Sequence, residues 1–184
     1  MRKNKASILP IRIIGDKILR QKAREVDELN SETRKFIEDL TATMYEKDGV
    51  GLAAPQTGKS LRIFVVDPYW YKEGAKKSPF VFINPRFKEF SGEVEAEEGC
   101  LSLPDVYAAV KRAEKVVIEA RNEKGENFTL TATGIFARAL QHEYDHLDGI
   151  LFIDKVPKLG RVSISRKIRE LKHTTNAEGE NIRY

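Results

Sequence analysis

The chain of 184 residues has a single cysteine, so it forms no internal disulfide and must hold itself together by packing. Long apolar runs are missing too, and nothing approaches the roughly 20 residues that a membrane span requires. Hydrophobic residues make up 41% and charged residues 33%, which predicts a soluble globular protein with no membrane partner. The basic opening, Met1 to Ser7, lacks a following apolar signal core and a small-residue cleavage site. It therefore points to the cytoplasm, with a trimmed organellar protein as the alternative. An excess of one charge is also absent. With 32 Lys and Arg against 28 Asp and Glu spread along the chain, the net +4 argues neither for nor against nucleic acid, and no specific DNA partner is expected. Repeats and low-complexity stretches are likewise absent.

The length fits one domain, residues 1–184, able to bury a core without a structural metal. Ile8 to Ile14 and the mixed stretch Asp16 to Val26 read as an arm crossing the core. Asn30 or Ser31 caps a helix from Glu32 to about Lys47, with Phe36, Ile37, Leu40 and Met44 as its core stripe. Gly49 and Gly51 end that helix before the loop Gly51 to Ser60 and an apolar strand, Leu61 to Val66. Further strands are expected at Phe80 to Ile83 and Arg86 to Glu95. A hairpin pairs Lys115 to Ala120 with Phe128 to Ala132 around the turn Asn122 to Gly125. A second helix starts after Thr133, turns Ile135, Phe136, Ala139 and Leu140 inward and stops at Gly149. A last helix covers Ser163 to about His173, and the polar tail from about Thr174 to Tyr184 reads as mobile. This order, without regular βα alternation, predicts an α+β fold. Mostly antiparallel sheets pack around the helix with paired histidines, flanked by an N-terminal and a C-terminal helix.

That helix carries Gln141-His142-Glu143-Tyr144-Asp145-His146. Histidines at i and i+4 share one helical face, so both imidazoles reach one metal ion. Glu143 follows the first ligand directly, where it can exchange a proton with water activated by that ion. Solvated or core histidines on an amphipathic helix are the alternative, so a third ligand matters. Phe152 stands ten residues after His142, where a common relative of the motif has histidine, and excludes that class. Glu170 and His173 are downstream choices, though charged positions on a terminal helix are usually solvated. Cys100 competes with them. It sits in Glu98-Gly99-Cys100-Leu101-Ser102-Leu103-Pro104, bracketed by residues that shape backbone, and a cysteine with two histidines leaves the open position of a catalytic site. The third segment, Gly49-Val50-Gly51-Leu52-Ala53-Ala54-Pro55-Gln56, permits close backbone approach but is weak by itself.

Together these three segments resemble the peptide deformylase family, whose members remove the formyl group from nascent chains that begin with formylmethionine. The resemblance extends from about Ile11 to Leu171. It implies metal ligation by Cys100, His142 and His146, with ferrous iron as the ion and nickel, cobalt or zinc as replacements. Glu143 is implied to take a proton from the attacking metal-bound water and deliver it to the leaving amine. Gln56 and the backbone N–H of Leu101 are implied to meet the oxyanion. N-Formylmethionyl peptides would lie extended along Val50, Gly51 and Gly99, with a methionine pocket at Val50, Ile135, Arg138 and Ala139. Arg138 stands where an apolar residue is common, and Tyr107 replaces an arginine of some relatives. The basic residues Lys155, Lys158, Arg161, Arg166, Lys167, Arg169 and Lys172 follow the metal helix, and the resemblance implies a ribosome contact through the C-terminal helix, against a plain solvated face. Outside the resemblance stand a metallopeptidase using His142, His146 and Glu170, and a metal- or peptide-binding module without catalysis.

Overall fold

The run Ile63-Phe64-Val65-Val66 offers no polar residue to either face of a strand, and all four side chains are fully buried. Such a strand needs cover on both sides. In the computed structural model, which describes residues 6–173 and 182–183, that cover comes from two helices. The chain starts with β1 (Ile11–Arg12), a 3₁₀ turn at Lys17–Arg20 and α1 (Ser31–Glu46). It continues through β2 (Gly51–Ala53), a 3₁₀ turn at Ala54–Thr57, β3 (Ile63–Val66), β4 (Phe80–Ser91), β5 (Val94–Cys100) and β6 (Leu103–Arg112). Then come β7 (Lys115–Arg121), β8 (Asn127–Thr133), α2 (Gly134–Leu147), a 3₁₀ turn at Phe152–Asp154, α3 (Lys158–Lys172) and β9 (Ile182–Arg183). All ladders between these strands are antiparallel, in a five-stranded sheet ordered β2-β3-β4-β7-β8 and two pairs, β5-β6 and β1-β9.

Period-two alternation divides the sheet between the helices. Leu52, Ile63, Val65, Val81 and Ile83 join Phe36, Ile37, Leu40 and Met44 of α1 in one core. Phe64, Val66, Phe82, Val116 and Ile118 join Ala137, Leu140 and Leu147 of α2 in the other. Leu40 and Met44 are completely buried, each contributing about 1.5–3 kcal/mol by leaving water. The α+β architecture expected from the element order is the one found, and α2 lies between the sheet and the β5-β6 hairpin. No described helix is long and apolar enough to cross a membrane.

Several features differ from the sequence reading, and the strand expected over Arg86 to Glu95 breaks between β4 and β5. Helix α1 starts one step earlier, where Asn30 Oδ1 accepts the Thr33 N–H at 2.9 Å. The two strands expected around Pro85 form one, because a register shift between Ile83 and Arg86 absorbs the residue that lacks an N–H. Asn84 turns at that bulge with φ 50° and bonds both the N–H and the carbonyl of Val26, at 2.8 and 2.9 Å. Helix α3 starts at Lys158 instead of Ser163, since Pro157 stands ahead of its first turn and forfeits no helical bond there. Ile135, expected inward, is 42% exposed, because it lines an open cavity. Most of the tail from Thr174 lies outside the described residues, and its described part, β9, pairs with β1.

Candidate metal centre

Strand β5 and helix α2 deliver three ligand groups to one point. A register shift between Glu98 and Cys100 turns the end of β5 so that Cys100 pairs with Leu103 across a tight turn. Its Sγ comes within 3.3 Å of His146 Nε2. The ring centroids of His142 and His146 are 5.1 Å apart, as their spacing on α2 requires. One ligand atom from each of Cys100, His142 and His146 lies within 4.8 Å of the other two, and these residues form the only such group among the described residues. Glu170 instead pairs with Arg166 on α3, and His173 is exposed at that helix's end. Phe152, the residue that excluded a third histidine, stacks on His142 with centroids 6.0 Å apart.

Behind the histidines lies a buried charge network. Glu98 Oε2 contacts His142 Nδ1 at 3.0 Å, which turns the other ring nitrogen toward Cys100. Arg112 holds Glu98 bidentately at 2.8 and 2.9 Å and reaches Asp145 at 2.6 Å. Arg138 adds a third contact to Glu98 at 2.6 Å and donates to the carbonyls of Val110 and Val94, at 2.9 and 2.7 Å. Its guanidinium thus fastens α2 to both strands of the hairpin. Burial opposes ionisation of Glu98, but Arg112 and His142 hold its carboxyl far below the usual carboxylate range. Burial opposes the charging of His142 as well, yet Cys100 and Glu98 push it well up. Burial, then the neighbouring His142, pushes His146 well down. Gln141 clamps the same helix to Ala113, accepting its N–H at 3.1 Å and donating to its carbonyl at 2.9 Å.

On the opposite wall, the segment Gly49 to Gln56 carries no charged side chain of its own. Gln56 Oε1 accepts the Ala53 N–H at 2.8 Å, which leaves Nε2 facing Ser102 Oγ at 3.2 Å and Cys100 Sγ at 3.5 Å. Gly51 lies against Glu143: a Cβ there would come within 2.6 Å of Glu143 Oε1, so only glycine fits. Glu143 is 4% exposed, and its Oε2 has no hydrogen-bond partner among the described residues. Burial foremost raises its carboxyl to about 7, in the range useful for moving a proton at neutral pH. A thiol and two imidazoles converging beside an unpartnered buried carboxylate fit one divalent ion with an open coordination position.

All six residues named for peptide binding, Val50, Gly51, Gly99, Ile135, Arg138 and Ala139, line one cavity of about 620 Å³ together with Gln56, Cys100, Leu101, His142 and Glu143. His146 lies behind it. Tyr107 covers Gly99 and is 60% exposed. The sequence reading assigned no role to Arg112, Asp145 or Ser102, nor to Glu98 beyond its segment. Their partners lie 14 to 46 residues away, and a pattern read within one element carries no signal at that range.

Comparison with known proteins gives the same picture. The sequence profile of the family described as polypeptide deformylase matches residues 8–162. Peptide deformylase 1 of Clostridium perfringens is 52% identical over 148 residues, covering 80% of this chain and 97% of its own. The peptide deformylase of Pseudothermotoga lettingae is 47% identical over 162 residues, covering 88% and 90%. Among solved structures, the Legionella pneumophila peptide deformylase superposes with a TM-score of 0.82 at 42% identity, over 90% of this chain and 96% of that one. That of Thermus thermophilus gives 0.82 at 40% identity, over 90% and 98%. The chain belongs to the peptide deformylase family and is one of its enzymes.

Proposed function

We propose that this enzyme is a metal-dependent amide hydrolase that removes the formyl group from N-terminal formylmethionine of new polypeptides, releasing formate. The convergence of Cys100, His142 and His146 beside Glu143 and Gln56 in one cavity carries this reading. Cys100, His142 and His146 hold the ion, ferrous iron foremost, with nickel, cobalt or zinc as substitutes. When bound, the ion supplies the Lewis acidity that makes water reactive at neutral pH. Glu143 takes a proton from that water on its carboxylate and passes it to the departing amine nitrogen as the formyl C–N bond breaks. Gln56 Nε2 and the Leu101 backbone N–H donate to the carbonyl oxygen as it gains charge. The peptide lies extended along Val50, Gly51 and Gly99, and its methionine side chain enters between Val50, Ile135, Ala139 and the stem of Arg138.

The deciding experiment loads the enzyme with iron anaerobically and measures formate from formyl-Met-Ala-Ser, with acetyl-Met-Ala-Ser as control. Formate release that vanishes together with bound metal in Cys100→Ala supports the reading. Full metal content and activity in that variant would exclude Cys100 as a ligand. Substrates of this kind place the enzyme's work in the cytoplasm, beside the ribosome. Exposed Leu159 and Val162 and the basic groups of α3 are the surface we assign to ribosome contact. Unchanged co-sedimentation of a chain ending at Pro157 would remove that assignment.

A further inference from the structure

The segment between β3 and β4 reads Asp67-Pro68-Tyr69-Trp70-Tyr71, and no step of the proposed chemistry uses it. It nevertheless grips the wall of the cavity at two consecutive carbonyls. Trp70 Nε1 donates to the carbonyl of Gly49 at 2.9 Å. The Asp67 N–H donates to the carbonyl of Val50 at 2.9 Å. Both anchors are braced from behind. Asp67 is 4% exposed, and its carboxylate accepts from Tyr45 Oη at 2.7 Å and from the Ser78 N–H at 2.6 Å. Trp70 packs edge-on against Tyr45, with centroids 5.4 Å apart and planes at 82°. Lys77 closes the cluster, its Nζ 4.4 Å from the Tyr45 ring and 5.3 Å from the Trp70 ring.

The gripped stretch is one that needs holding. Gly49-Val50-Gly51 joins the end of α1 to β2 and has two glycines in three residues, Gly51 required by its contact with Glu143 and Gly49 set tightly against Leu101. Glycines placed for clearance also loosen the backbone. Pairing with Val66 fixes Gly51, but Gly49 lies ahead of the strand. Its carbonyl is held from outside by a side chain that does not line the cavity.

We propose that Trp70 is a positioning residue for peptide binding: by holding the Gly49 carbonyl it presets the edge at Val50 and Gly51 along which an extended peptide pairs. This rests on the deformylase reading. An edge fixed in advance spares the peptide the ordering of that backbone, so the gain appears in substrate binding rather than in bond cleavage.

Trp70→Phe tests it, because the ring contact with Tyr45 survives while the N–H is lost. In the iron-loaded variant, KM for formyl-Met-Ala-Ser should rise about 2- to 12-fold, the worth of one neutral hydrogen bond. The value of kcat and the bound metal should stay as in the wild type, and amide hydrogen exchange at Val50 and Gly51 should quicken. Free N-formylmethionine, which has no following residues to pair, should show a smaller rise. An unchanged KM in a variant that still releases formate overturns the proposal. So does a joint fall of kcat and metal content, which would mark a general structural role. Should the wild type release no formate, the deformylase reading falls, and unchanged exchange at Val50 and Gly51 would then refute the positioning role by itself.

Discussion

The two walls of the cavity are held by different physics. On the side of α2 and the β5-β6 hairpin, Glu98, Arg112, Arg138 and Asp145 form a buried network of full charges behind His142. On the side of Gly49 to Gln56, backbone hydrogen bonds, small residues and one amide side chain shape the lining, and the charges that brace it, Asp67 and Lys77, stand one layer back. Ligands to a cation gain from oriented carboxylates, and a buried carboxylate tolerates its place only when cations surround it. A wall that meets a neutral peptide needs clearance and donors instead. Damage to the charged wall should therefore reach fold and metal together, and damage to the neutral wall should reach turnover first.

Glu143→Gln gives the largest effect and is the exception within the charged wall, because Glu143 Oε2 has no hydrogen-bond partner among the described residues. Turnover should fall about 100- to 10,000-fold, the contribution of one general acid-base group, while metal analysis finds the ion retained. Burial raises this carboxyl from its ordinary 4.5 to about 7 in the metal-free protein. The folded chain then holds a proton that the unfolded chain has released, so wild-type stability falls as pH rises from about 4.5 to about 7. The glutamine variant lacks that loss. Thermal melts of chelated protein at pH 5 and pH 8 should show wild type losing ground to the variant, and parallel shifts in the two would reject the assignment. Gln56→Ala is next, with kcat expected to drop about 100- to 1,000-fold from a missing oxyanion donor. It also strips the Ala53 N–H of its acceptor, which costs about 1–3 kcal/mol in urea unfolding. A variant with unaltered kcat would deny Gln56 its role.

How far these walls were legible in the sequence follows the same division. Paired histidines on one helix face announced themselves through short-range spacing, and α2 and β3 followed from 3.6- and 2-residue periods, while the glycine segment was weak by itself and the role of Gln56 came only from the family resemblance. Cys100 needed the company of the other segments, since a lone cysteine carries no geometry. Glu98 and Arg112 sit in alternating strands where charged residues ordinarily face water, and only the packing of α2 against the hairpin buries them. Arg138 was legible as a cavity residue but not in its direction: its length allowed several, and the one taken depends on carbonyls 28 and 44 residues away. The start of α3 was placed too late because Pro157, which is tolerated ahead of a first helical turn, was not read as a start signal.

Glu98→Gln tests the charged wall most directly, although its effect on turnover is the smallest of the three. Glutamine keeps the shape and still offers Arg112 one acceptor, but it cannot neutralise two guanidinium groups or fix His142 as firmly. Weakened support behind a histidine ligand should lower metal affinity about 10- to 100-fold, read by competition with a chromophoric chelator. Leaving Arg112 and Arg138 underpaired should cost about 3–5 kcal/mol of unfolding free energy. The pH dependence runs opposite to that of Glu143. Glu98 is held far below its ordinary 4.5, against the pull of burial, by Arg112 and His142. Its contribution is complete above about pH 4.5 and fades as the pH falls further, so the gap between wild type and variant should narrow in acid. A variant that lost metal affinity without losing stability would confine Glu98 to orienting His142. One that lost neither would show the two walls to be held alike, and the contrast between them would be one of composition alone.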